Sequence, residues 1–434
     1  VSRKRRMKKD KVLQELAPLV AALTLLAILI FSPLTFFSKF NKHELDEFAT
    51  DPKNRTGFVS YAIKSQAFSN PHYLPILGSS ELEYIDPFHP SSFFMKNNKG
   101  FTPFLAGQPG TQSLTHFFYL NSVEKQLHNR KIVFIISPQW FTRKGIGTPE
   151  LSQFVSKGEI YAWLQSASPK DVATQKLAQR LLNFKDFPED IVVTHALKDL
   201  ANGKKIDSIN QISIKLANQF WTKQDSLFTG LSKLSGSQEN SYEKIERISK
   251  QLPNTEDFEK LDKAAYERGA ANSTNNEFQI VDHVWSRNLQ KVFKERKGAM
   301  KEVSYLRSPE YLDFQQLLNQ FAKNNNDVQF VIPPVNGAWY QYTGLSYDML
   351  QEFSAKIKYQ LNSQGFHHIY DMTNKFNEKY YIGDTIHLNN RGWVALDKKI
   401  EEFMKYPTKT AYKIDNAQFL STEWANLAQN GPIQ

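Results

Sequence analysis

Residues 73–82 read Tyr-Leu-Pro-Ile-Leu-Gly-Ser-Ser-Glu-Leu, a short apolar run ending directly on Gly-Ser-Ser, which is how a buried strand meets a turn. Two more continuous runs rich in β-branched and aromatic residues, KIVFIISP at 131–138 and DVQFVIPPV at 327–335, close on proline, and GFHHIYDMT at 365–373 supplies a fourth. Continuous rather than alternating apolarity is what parallel strands covered on both faces require. Between them lie amphipathic stretches such as SLTHFFYLNSVEKQL at 113–127 and YDMLQEFSAKIKYQLNSQ at 347–364. Strands alternating with helices predict an α/β fold with a doubly wound, mainly parallel sheet, whose functional groups gather beyond the carboxyl ends of the strands. Residues 149–310 break the alternation. They are helix-rich, with loop-like SGSQENS (235–241) and NSTNNE (272–277), and read as a helical insertion within a domain spanning 71–434.

The 434-residue chain is 41% hydrophobic and 23% charged, ample for a sizeable packed core and unlike a disordered chain. It has no cysteine, which excludes disulfides, thiolate metal sites and a cysteine nucleophile and leaves Ser, His and carboxylates for chemistry. Of the net charge of +10, +6 sits in residues 1–11, VSRKRRMKKDK, so the remainder carries an ordinary surface balance. Residues 16–37, LAPLVAALTLLAILIFSPLTFF, are uncharged, and about 20 residues suffice to cross a bilayer. A cleaved signal peptide shares the basic arm and apolar stretch, but this run is longer than the usual signal core and no small-residue cleavage site follows Phe37. The expectation is a single-pass cell-membrane protein with a cytoplasmic basic arm (1–15), a transmembrane anchor (16–37), a polar linker with short helices (38–70) and an extracellular domain. The arm meets anionic membrane lipids, and no nucleic-acid role is expected beside a membrane helix.

The turn after residue 77 presents Ser80 on a strand-to-helix junction with backbone N–H groups nearby, a geometry suited to a nucleophile. The competing reading is a serine that only caps a helix. Near the C-terminus, Asp384-Thr-Ile-His387 precedes the helical stretch 393–404. This spacing lets a tight loop bring Asp384 to one imidazole nitrogen and leave the other facing a serine; helix capping is again the alternative. Asn336 and Trp339, after the third strand, could line an acceptor groove or simply pack, and Glu81 could pair or cap locally. His367 and His368 are adjacent in a strand, so they point to opposite faces and form no compact metal pair. Without HExxH, a phosphate loop or an acidic calcium loop, no metal or cofactor is implied.

The GSSE turn, a glycine in the second loop and D-x-x-H before the final helix resemble, in order, the blocks of SGNH/GDSL hydrolases. With the basic arm and anchor, AGQPGTQSL (106–114), SPQWF (137–141), VIPPVNGAWY (331–340) and DTIHLNNRGW (384–393), the chain more narrowly resembles the family acting in D-alanyl-lipoteichoic acid biosynthesis. That resemblance implies an SGNH-like fold and a Ser80–His387–Asp384 triad. It also implies work alongside a membrane acyltransferase and a D-alanyl carrier protein, with teichoic acid as acceptor. Ser80 and Gly107 match the oxyanion-hole positions. The superfamily's asparagine donor has no counterpart in SPQWF, where Gln139 is the candidate replacement. The triad alone leaves open transfer of D-alanine from Ser80 to polyglycerol-phosphate hydroxyls, hydrolysis by an esterase or thioesterase, and a non-catalytic scaffold that keeps the residues.

Overall fold

In the computed structural model, which describes residues 16–22, 24, 28, 39–53, 58–187, 189–234, 241–407 and 410–428, the apolar runs form a five-stranded, wholly parallel sheet. The strands are β1 (Tyr73–Leu77), β2 (Thr102–Ala106), β3 (Lys131–Ile135), β4 (Asp327–Ile332) and β5 (Ile369–Asp371), in the spatial order β2-β1-β3-β4-β5. Side chains alternate between two cores. Tyr73 and Leu77 of β1, Ile132 and Phe134 of β3, and Val328 and Phe330 of β4 enter one; Leu74, Ile76, Val133, Ile135 and Val331 enter the other.

Helices cover both faces, so the fold is α/β and doubly wound. The stretch expected as a linker carries α1 (Lys42–Thr50) and α2 (Tyr61–Phe68), whose Phe48, Ile63 and Phe68 are buried in the first core. Next come α3 (Pro90–Lys96), packed into the second core through Phe93 and Phe94, and α4 (Ser113–Asn121), packed into the first through Leu114 and Phe118. The region 149–310 is largely helical. It contains α5 (Thr148–Phe154), α6 (Lys157–Ser166), α7 (Val172–Leu182), α8 (Ile191–Ala201), the 27-residue α9 (Ser208–Leu234), α10 (Ser241–Ser249) and α11 (Phe258–Asn272). The alternation resumes with α12 (Glu310–Lys323), α13 (Gly337–Thr343) and α14 (Tyr347–Asn362), and closes with α15 (Asn390–Lys405), which buries Trp393, Leu396 and Ile400 in the second core. Most of the expected anchor, 16–37, lies outside the described residues. Residues 16–22 are helical and exposed, and among the described residues no helix is long and apolar enough to cross a membrane.

The chain leaves β1 for β2 on one side and returns to β3 on the other, so the carboxyl ends of β1 and β3 flank the point where strand order reverses. There the turn after β2 presses on the turn after β1. A Cβ on Gly107 would lie 2.5 Å from the carbonyl carbon of Gly78, closer than any side chain tolerates. Gly107→Ala is therefore expected to lower stability by about 1–3 kcal/mol through forced backbone displacement, read as a drop in the urea unfolding midpoint; an unchanged midpoint rules out this close approach.

Candidate active site

Ser80 opens a single 3-10 turn, Ser80–Glu83, at the end of β1. The turn is held from behind by the Gly78 carbonyl, which accepts from Thr111 Oγ1 at 2.8 Å and His116 Nε2 at 2.7 Å. Burial pulls the His116 pKa down to about 4, so the ring is neutral and its Nε2–H donates. The Ser79 N–H donates to Glu81 Oε1 at 2.7 Å, and Ser79 Oγ donates to the Gln108 carbonyl at 3.2 Å. Glu81 is thus a local partner of the turn, buried, with its carboxyl pKa raised by desolvation. The Ser80 and Gly107 N–H groups make no hydrogen bond to the described residues. Both remain available to a developing oxyanion.

Between β5 and α15 the chain folds into a tight loop, closed by an Ile382–Leu388 bridge and by the Gly383 N–H donating to the His387 carbonyl at 2.9 Å. Inside it, Asp384 Oδ1 accepts from the N–H groups of Ile386 and His387, each at 2.8 Å, and Oδ2 lies 2.5 Å from His387 Nδ1. This leaves His387 Nε2 facing Ser80, 2.7 Å from its Oγ. The three side chains form one hydrogen-bonded chain: Asp384 sets the Nδ1–H tautomer, and Nε2 is then the acceptor of the serine proton. Just beyond, Asn390 Nδ2 donates to Asp86 Oδ2 at 2.8 Å, tying the segment after His387 to the segment after Ser80.

Burial pulls His387 toward its neutral form, but the hydrogen bond and charge of Asp384, joined by Glu81 and Glu83, outweigh it and hold its pKa above 6.5. Burial opposes ionisation of Asp384, yet its bonds to His387 and Ile386 hold its pKa below 3.8. Both shifts stabilise the fold between those values. The Asp384 contribution is lost as pH falls through its lowered pKa, and the His387 contribution as pH rises through its raised one.

Gln139 lies in the turn Pro138–Trp140 after β3, at the same sheet end as Ser80, half-buried and without a side-chain hydrogen bond to the described residues. Asn336 and Trp339, read as candidates for an acceptor groove, are both buried. Asn336 caps α13, and its Nδ2 donates to the carbonyls of Asp384 at 3.0 Å and Phe278 at 2.9 Å; its N–H donates to the Thr385 carbonyl at 3.0 Å. Trp339 packs edge-on to Phe278, with ring centres 5.2 Å apart. Asn336 therefore supports the Asp384–His387 loop directly, while Trp339 packs on Phe278, whose carbonyl Asn336 also holds. The insertion reaches the same loop, because the Val281 N–H donates to the Gly383 carbonyl at 2.8 Å. Tyr84, not anticipated from the sequence, stands over the site, its ring 4.8 Å from that of His387 and 44% exposed. His367 and His368 serve locally: His367 Nδ1 is 3.2 Å from Asn362 Oδ1, and His368 Nε2 is 3.5 Å from Asp327 Oδ1.

An NMR titration of the His387 ring in the full chain should inflect above 6.5 and move downward in Asp384→Asn; identical curves refute the coupling. In Asn336→Leu two buried carbonyls lose their donor, and a loss of about 1–3 kcal/mol per unsatisfied group is expected in unfolding titrations; Asn336→Asp keeps the α13 cap but also lacks the donor and sets a carboxylate against both carbonyls, so it should lose at least as much at neutral pH.

A profile of the DltD protein family matches residues 51–405. Three curated relatives share this likeness. The chain is 34% identical to Protein DltD of Lacticaseibacillus rhamnosus over 424 residues, covering 96% of this chain and 97% of the relative. It is 33% identical to Protein DltD of Bacillus subtilis over 392 residues, 89% of this chain and 96% of the relative. With Protein DltD of Staphylococcus aureus it shares 30% identity over 357 residues, 81% of this chain and 87% of the relative.

Proposed function

The chain belongs to the DltD family, and from that premise we propose that it is an SGNH-type serine acyltransferase of teichoic acid D-alanylation. The observation that carries this reading is the unbroken Ser80–His387–Asp384 hydrogen-bonded chain beside two unengaged backbone N–H groups. As Ser80 Oγ attacks the carbonyl of a D-alanyl donor, His387 Nε2 takes its proton, and the tetrahedral oxyanion faces the N–H groups of Ser80 and Gly107 and the amide of Gln139. Asp384 stabilises the imidazolium. The leaving group departs with the His387 proton, and D-alanine remains as an ester on Ser80. A polyglycerol-phosphate hydroxyl then attacks that ester while His387 takes the hydroxyl proton. The new ester forms, the Ser80 Oγ bond breaks, and Ser80 recovers its proton from His387.

In this reading the chain is held by residues 16–37 with its catalytic domain outside the cell. Activation by ATP is absent there, so the acyl group arrives already activated through the membrane acyltransferase and the D-alanyl carrier protein. Transfer rather than hydrolysis requires the acceptor hydroxyl to outcompete water at the Ser80 ester.

In cells whose own gene is replaced by Ser80→Ala, teichoic acid should lose its D-alanyl esters, and unchanged ester content would sink the proposal. In membranes carrying the full chain, a fluorophosphonate probe should label Ser80, and His387→Ala should slow that labelling by about 10³-fold or more. Labelling that is indifferent to His387 removes the triad from the mechanism.

A further inference from the structure

The longest helix, α9, has two faces of different fate. Inward, Ile214, Trp221, Asp225 and Thr229 meet α6 and α2, and Asp225 Oδ2 accepts from Ser60 Oγ and from the Ala62 N–H, both at 3.0 Å. Outward, on the opposite side, stands a second apolar row. Ile209, Ile212, Leu216 and Phe220 follow one another at intervals of three and four residues, which keeps them on one face. They are 78%, 61%, 50% and 36% exposed. A row of large apolar side chains at this spacing, left in water, marks a surface with an occupant.

The charges around the row say what the occupant is. Lys204 and Lys205 lie just before the helix and Lys215 and Lys223 on it, against a single acid, Asp207, at its start and none from Ser208 to Gln224. Apolar side chains framed by lysines, on a helix without acids over most of its length, are the pattern of a helix lying in the plane of a membrane surface. Position agrees with charge. Asp225 pins the inner face of α9 to residues 60–62, which follow the apolar run 16–37 closely in the chain, so a short path links the row to that run.

We propose that the outer face of α9 lies on an anionic lipid bilayer, with Ile209, Ile212, Leu216 and Phe220 among the acyl chains and the lysines at the head groups. The insertion then acts as a foot that sets the height and tilt of the domain above the membrane. This inference is independent of the chemistry at Ser80.

Because the chain has no cysteine, one spin label can be placed at will. Leu216→Cys and its neighbour Lys215→Cys, about 100° round the helix, are labelled in the full chain and floated with vesicles of phosphatidylcholine plus phosphatidylglycerol. Relaxation by oxygen is compared with relaxation by a water-soluble nickel chelate. The expected result is an oxygen-to-nickel ratio several-fold higher at Leu216 than at Lys215, and a smaller difference in phosphatidylcholine alone. Equal ratios at the two sites overturn the proposal. A Leu216 label immobilised and shielded from both reagents means that a protein partner or a second copy covers the row, and it overturns the proposal too. So does failure of the chain to float with the anionic vesicles.

Discussion

The carbonyl oxygen of Gly78 is the point on which the site depends. It is gripped by Thr111 and His116, and the backbone of Gly107 lies against the same peptide. Strand β1 must therefore end where it does, and the next residues must turn away, which presents Ser80 at the sheet's carboxyl edge. A buried carbonyl satisfied by two side-chain donors is a rigid anchor, since freeing it costs the desolvation of all three groups. Both donors come from the segment after β2, so the position of Ser80 is set by that neighbouring segment as well as by its own local sequence.

The Asp384–His387 loop is rigid for a different reason. Asp384 binds the backbone N–H groups of Ile386 and His387 with one oxygen and the imidazole with the other, so a single carboxylate shapes the loop and orients the ring together. Asn336 and Val281 clamp it from two further directions. The helical insertion is thereby part of the site's framework, even though Ser80, His387 and Asp384 all lie outside it. Asp384, joined by Glu81 and Glu83, raises the pKa of His387 and so favours the protonated form of its ring.

Much of this was legible in the residues. The runs at 73–77, 131–135 and 327–332 were readable as strands because burial on both faces demands continuous apolarity over a length that no surface helix shows. Strand β2 was not. Thr-Pro-Phe-Leu-Ala is short, contains proline and sits at the sheet edge, where pairing on one side suffices. In GFHHIYDMT only Ile369–Asp371 joins the ladder, and the two histidines precede it. Ser80, Asp384 and His387 announce themselves through local spacing. His116, Thr111, Tyr84 and Val281 carry no such pattern and reach the site only through topology. Asn336 and Trp339 were noticed, but a polar residue and an aromatic in a loop look alike whether they face a groove or support one. Burial separates the two cases, and burial is a property of the fold.

Ser80 and His387 touch across 307 positions of sequence. At a synthesis rate of about 5–20 residues per second, Ser80 exists for roughly a quarter of a minute to a minute before His387 has been made. Throughout that interval the serine is an ordinary alcohol. A chain still being built holds Ser80 without the imidazole that contacts it, and the pair forms only once the loop carrying His387 has been made and folded against the end of β1.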